Sequence, residues 1–184
     1  MRVVSGALGF SGQFAATGGV SVILVELDTK AEIAGSAKVS AAKDITVRAY
    51  NEEDIIDVGI SVAGTGGAFA LGGAAAVLDL SNTTRALIGE SATIKAGGNL
   101  AIHAEDRTDA DLIAGGVGLG FGGGGIGGSI GVSLLSKDTV ASIGASTVGA
   151  LGNADTFPIF NGNEVNNQAA IESIRGVGVS SYAS

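Results

Sequence analysis

The chain has 184 residues, enough for one domain with a real core. It holds 32 Gly, 1 Pro, no Cys, no Trp and 4% aromatics, yet 46% of it is hydrophobic. A net charge of −8 and a pI of about 4.4 exclude a nucleic-acid backbone as partner and attachment to anionic lipid through basic residues; the missing cysteines exclude disulfides and thiolate metal sites.

Ala, Val, Ile and Leu supply the apolar fraction, and such small and β-branched side chains suit thin, closely stacked layers. A chain without cysteine suits the cytosol. It equally suits a long passenger that crosses two bacterial membranes unfolded. The opening "MRVVSGALGFSGQFAATGG" carries one Arg and no compact Leu-rich core, so it does not read as a signal peptide. Met1 reads as a start placed on an excised fragment.

The first element in chain order is glycine-rich, "SGALGFSGQFAATGGVSVILV" at 5–25. A polar stretch follows, "TKAEIAGSAKVSAAKDITVRA" from Thr29 to Ala49, and then the acidic run "NEEDIID" from Asn51 to Asp57. The order then repeats. An uncharged glycine-rich run spans Val58 to Leu78, "TRALIGESATIKAGGNLAIHA" spans Thr84 to Ala104, and "EDRTDAD" spans Glu105 to Asp111. A third uncharged run, Leu112 to Ser136, leads into "TVASIGAS" from Thr139. The period is 55 residues: Thr29, Thr84 and Thr139 align, as do Ala31, Ala86 and Ala141, and Gly18, Gly73 and Gly128.

After Ala150 the register is disturbed. Matching Ile174 to Ile56 predicts an insertion of about 8 residues in "NADTFPIFNGNEVNN", read as a surface loop from its Pro and Asn content. The expected organisation is solenoid repeats over 1–150, with units of about 1–56, 57–111 and 112–150. The remainder of the third unit with its loop occupies 151–173, and the start of a further repeat occupies 174–184.

Within a unit, "AKVSA", "ITVRAYN", "ATIKA" and "LAIHAED" alternate apolar and polar side chains, the period of a half-buried strand. The breaks "AAKD" and "AGGN" read as turns. Short strands repeated in register predict an all-β chain, a parallel β-helix or β-solenoid built from 55-residue repeats. Three coils of roughly 18 residues would fill one unit. The glycine-rich halves are read as strand, with Gly where neighbouring backbones approach closely. Gly116, Gly120, Gly124 and Gly128 also stand at the spacing of a membrane-helix dimer motif. The helical cost of Gly and the bordering Asp57, Asp79, Asp109 and Asp111 favour strand, and a membrane is not an expected partner.

Little here reads as chemistry. His103 is the one histidine, and its repeat equivalent is Arg48, so it is expected on an outward strand position in solvent. The two acidic runs could offer oxygen ligands to calcium, but neither an EF-hand loop nor the nonapeptide of calcium-binding β-rolls is present. They read as a charged face that keeps a long solenoid soluble. No P-loop and no nucleophile elbow occur. No catalytic, cofactor-binding or metal-binding residue is therefore assigned, and no enzyme activity is expected.

"SNTTRALIG", "ATIKAGGNLAIHAEDRT" and "AKVSAAKDITVRAYNEED" resemble the repeats of very large Gram-negative exoproteins, the filamentous-haemagglutinin-like and leukotoxin-type filamentous adhesins. The resemblance covers positions 1 to about 150 and the last ten residues, and Asp155 to Asn167 depart from it. It implies a right-handed parallel β-helix in a secreted or surface-bound fibre, associated with the outer membrane and acting as stalk and contact surface without catalysis. Neighbouring repeats of the same chain are the expected partners, together with a host-cell or bacterial surface. Unpaired sheet edges at each end of the stack predict head-to-tail association. A rival expectation is a membrane-active segment, pore-forming or leukotoxin-like, whose glycine-rich elements insert into lipid. A carbohydrate-binding or carbohydrate-cleaving β-helix is a third, weakened by the absence of a repeating aromatic.

Overall fold

The computed structural model describes residues 1–166 and 168–184. No helix occurs among them. The strands are β1 (Arg2–Ser11), β2 (Phe14–Ile33), β3 (Lys38–Ala41), β4 (Ile45–Thr65), β5 (Phe69–Ile88), β6 (Thr93–Ala96), β7 (Leu100–Gly120), β8 (Gly124–Ile143), β9 (Thr147–Ala150), β10 (Phe157–Val165), β11 (Gln168–Ile174) and β12 (Val177–Ala183).

The strands stack by repeat. Sheet orders are β1-β4-β7-β12, β2-β5-β8 and β3-β6-β9, with β10-β11 as a separate pair. Lys38 pairs with Thr93 in parallel, and Arg2 pairs with Ile56. One repeat therefore makes one coil of two long strands and one short strand. The expected three coils per repeat do not form. The reason is continuity: the polar and glycine-rich halves join into single strands such as Ile45–Thr65, with no turn at the acidic run. The expected β-solenoid architecture is present in this longer-coiled form.

Compact units form across the repeats, each taking one segment from every coil. The first comprises Met1–Glu26, Glu53–Ser81 and Thr108–Ser136; the second comprises Leu27–Glu52, Asn82–Arg107 and Lys137–Ser184.

In the second unit three sheets share one apolar core. Ile45, Val47, Ile88, Ile94, Leu100 and Ile102 are buried there, with Ile33 and Val39 of the first coil and Ile143 and Val148 of the third packed against them. Equivalent residues thus form ladders through the stack. Burial of each Ile or Leu contributes about 1.5–3 kcal/mol, and each ladder position is completed only by its neighbours. The third coil is one residue shorter, because Thr147 pairs with Thr93 rather than Ala92. Ser146 fills the gap: its hydroxyl accepts the Ala92 N–H at 3.1 Å and donates to the Gly89 carbonyl at 2.6 Å.

Away from the turns, the first unit has an ordinary apolar core of Ile23, Ile55, Leu78 and Leu80; towards the turns the usual arrangement is inverted. Large side chains point outward: Val4, Leu8 and Phe10 on β1, Val20, Val22 and Leu24 on β2, and Ile126, Ile130 and Leu134 on β8 are exposed. The inward positions near the turns are small, with Ala15, Ala63 and Ala70 buried there. A Cβ on Gly118 would lie 2.5 Å from the Ile126 carbonyl oxygen and 2.6 Å from that of Ala70, so the sheets meet backbone to backbone. This is the close approach expected of the glycine-rich halves. Gly18, Gly73 and Gly128 do not share it, because a Cβ at each would meet nothing within 4 Å.

The end of the chain corrects two expectations. Val177 pairs with Leu100, so the last strand is equivalent to the start of β4 and β7, and Ile174 is not the counterpart of Ile56. Residues 151–176 accordingly stand where 97–99 stand in the preceding coil, a larger insertion than expected. Its described residues are also not a loop: β10 and β11 form an antiparallel pair, Phe157 opposite Ile174 and Phe160 opposite Ile171. The Pro and Asn signals of a loop are overridden by packing, since Phe157, Ile159 and Ile174 occupy the space that Gly178 leaves open. Asn167, the last residue of the predicted loop, lies outside the described residues.

Candidate functional site

The inserted hairpin makes the site. It lies in the second unit on the outward residues of β4, β7 and β12, where its Phe160 meets Tyr182 edge to face at 5.1 Å. Buried Asn99 secures both ends of the insertion: its Nδ2 donates to the Asp155 carbonyl at 2.7 Å, and its Oδ1 accepts the Gly176 N–H at 2.8 Å. Its own N–H donates to Asp44 Oδ1 at 2.6 Å, one coil below. The turns "AAKD" and "AGGN" thus form a polar ladder that anchors the hairpin.

Beneath the hairpin, strand alternation brings Arg48, His103 and Ser180 into one row and Glu105 beside them. Arg48 Nη2 lies 2.9 Å from Glu105 Oε2, Arg107 Nη2 lies 2.5 Å from Oε1, and His103 Nε2 lies 3.2 Å from Oε2. His103 Nδ1 is 2.8 Å from Ser180 Oγ. An ionised carboxylate only accepts, so Nε2 carries the ring proton in the neutral imidazole and Nδ1 accepts the Ser180 hydroxyl. The Arg48 guanidinium also stands over the Tyr50 ring, 5.0 Å from its centroid. His103 is therefore not the solvated residue expected: the ring is outward but partnered on both nitrogens and only 24% exposed.

Glu105 is the electrostatic centre. Burial pushes its pKa up. Hydrogen bonds from His103 and Arg48 and the Arg107 charge outweigh that and hold it below the ordinary 4.5. Two cavities flank the cluster. One of about 540 Å³ is lined by Glu105, Arg107, Phe160 and Tyr182; the other, about 430 Å³, is lined by Arg48, Asn99, Phe157 and Phe160, and His103 borders both. Guanidinium groups on the rim and aromatic rings in the wall suit a small polar molecule with one flat apolar face.

The acidic runs divide between the two strand faces. Glu52, Asp54, Asp109 and Asp111 are exposed, as a solubilising face requires, whereas Glu53, Asp57, Glu105 and Asp106 are buried. Most of the buried ones have partners. Thr108 Oγ1 donates to Glu53 at 2.8 Å, and Asp106 takes Lys137 Nζ at 3.1 Å and Thr84 Oγ1 at 3.1 Å. Asp57, by contrast, has no hydrogen-bond partner on either oxygen among the described residues. No group of His, Cys, Asp or Glu placed to hold a metal ion occurs among the described residues. Sequence reasoning missed Ser180, Tyr182 and the hairpin wall, because the misassigned register put them opposite the wrong strand.

No family model, no curated protein and no solved structure matches this chain.

Proposed function

We propose that the chain is a structural stalk and contact segment of a large bacterial adhesin, secreted or held at the outer-membrane surface, without catalysis. The observation that carries this reading is the register. Equivalent residues of successive 55-residue copies pair strand to strand, so each copy completes the core of the one before it. Such a stack extends without limit in one direction. Its partners are then the neighbouring repeats and the surface of a host or bacterial cell.

The test is growth. Inserting ten further copies of residues 57–111 should lengthen the particle by about 48 Å, one strand spacing per copy, in electron micrographs. Particles that thicken in all directions, or that unfold, would overturn the stalk reading.

A second reading, a membrane-active segment, draws on one observation, the exposed apolar exterior of the first unit. It predicts leakage of vesicle contents, which a stalk does not cause.

A further inference from the structure

The first unit ends in three stacked turns, Gly12–Gln13, 66–68 and 121–123. Four of the chain's 6 phenylalanines gather at them: Phe10, Phe14, Phe69 and Phe121. Phe10 is 77% exposed and Phe121 84%, and Phe14 stacks on Phe69 with centroids 6.4 Å apart. An exposed aromatic group of this size in water has an unfavourable hydration free energy that burial would remove.

Charge is absent around this group. The charged residues of the unit are Arg2, Glu26, Glu53, Asp54, Asp57, Asp79, Asp109 and Asp111. All lie at the opposite ends of the strands, on the order of 30 Å along the chain direction from the turns. The strands between carry Val, Leu and Ile outward on both faces.

Part of the backbone at the turns is paired from coil to coil. Gly66 N–H donates to the Ser11 carbonyl at 3.3 Å, Phe121 N–H to Thr65 at 3.0 Å, Gly122 N–H to Gly67 at 3.0 Å, and Gly124 N–H to Ala68 at 2.9 Å. The turn at 121–123 thus bonds to the turn at 66–68, and that turn to the end of β1. Apolar surroundings tolerate a turn only when its amides are paired inside the protein.

We propose that this charge-free end of the first unit is a lipid-contacting tip that seats in the interfacial layer of a phospholipid bilayer. A protein groove would have to cover two outward faces and an aromatic end at once, and would gain nothing from the charge gradient along the strands. A bilayer meets all three features, with the phenylalanines at the acyl boundary and the carboxylates in water. With a single Arg in the unit, attraction is apolar, so neutral lipid serves as well as anionic lipid. The inference rests on the contact role proposed for the stalk and names what is contacted.

The chain has no Trp, so single tryptophans report cleanly. Phe121→Trp and, in the second unit, the exposed Leu151→Trp are compared on phosphatidylcholine vesicles containing brominated lipid. The proposal expects a blue shift and quenching for Phe121→Trp and neither for Leu151→Trp, with no release of a trapped dye. Phe10→Ser combined with Phe121→Ser removes two exposed side chains and should weaken vesicle partitioning at least about tenfold while the β-type circular dichroism stays unchanged. No partitioning, or equal quenching at both positions, overturns the tip. Quenching with dye release overturns shallow seating in favour of the membrane-active reading. Filament growth is measured without lipid, so failure of the stalk reading is a separate result.

Discussion

Glu105 shows how one side chain carries the second unit's polar cluster. Its carboxylate accepts from Arg48, His103 and Arg107 while itself almost fully buried. Because its pKa is depressed in the folded state, it contributes stability above the ordinary carboxylate value, and that contribution is lost as pH falls from 4.5 toward the folded value. Melting temperature measured from about pH 6 to about pH 3 should therefore fall less steeply for Glu105→Gln than for the parent chain below pH 4.5. The variant should also be less stable at neutral pH, since two guanidinium groups lose their anion. Parallel curves would show that Glu105 is not the group responsible.

At the level of the strand, the glycines of the third coil serve two different ends. Gly118 faces inward against the carbonyls of Ile126 and Ala70, whereas Gly128 faces open space. Adding one methyl group separates them. Gly118→Ala should cost about 1–3 kcal/mol, because the sheets must move apart to admit it. Gly128→Ala should stay within about 0.5 kcal/mol. Denaturant unfolding of the two variants decides the matter, and equal losses would mean that the sheets do not meet backbone to backbone at Gly118. The inserted hairpin follows a related logic, since Phe157, Ile159 and Ile174 of the insertion fill the space over Gly178.

For the molecule as a whole, the unpaired outer strands matter most. β1, β2 and β3 are edge strands of their sheets, as are β8, β9 and β12, and β7 has no β12 partner beyond Asp106. Each presents free N–H and C=O groups of the kind that pair within the stack. Sedimentation should show association that grows with protein concentration. A strictly monomeric species at high concentration would mean that the edges are blunted against pairing.

The repeat, the strand character and the close-packing role of glycine were legible in the sequence. They follow from local patterns: a 55-residue match of Thr29 to Thr84, alternation in "LAIHAED", and runs too poor in side chains for helix. Coil length was not legible, since the alternation within stretches such as "ITVRAYN" and "LAIHAED" does not show how far each strand continues, and Asn51–Asp57 continues one strand of 21 residues. Nor was the inversion near the turns of the first unit, because alternation states that two faces differ without stating which one is inside. The site under the hairpin lay furthest from view. Arg48, His103 and Ser180 are 55 and 77 positions apart, and only strand stacking, together with an insertion that displaces the register, brings them side by side.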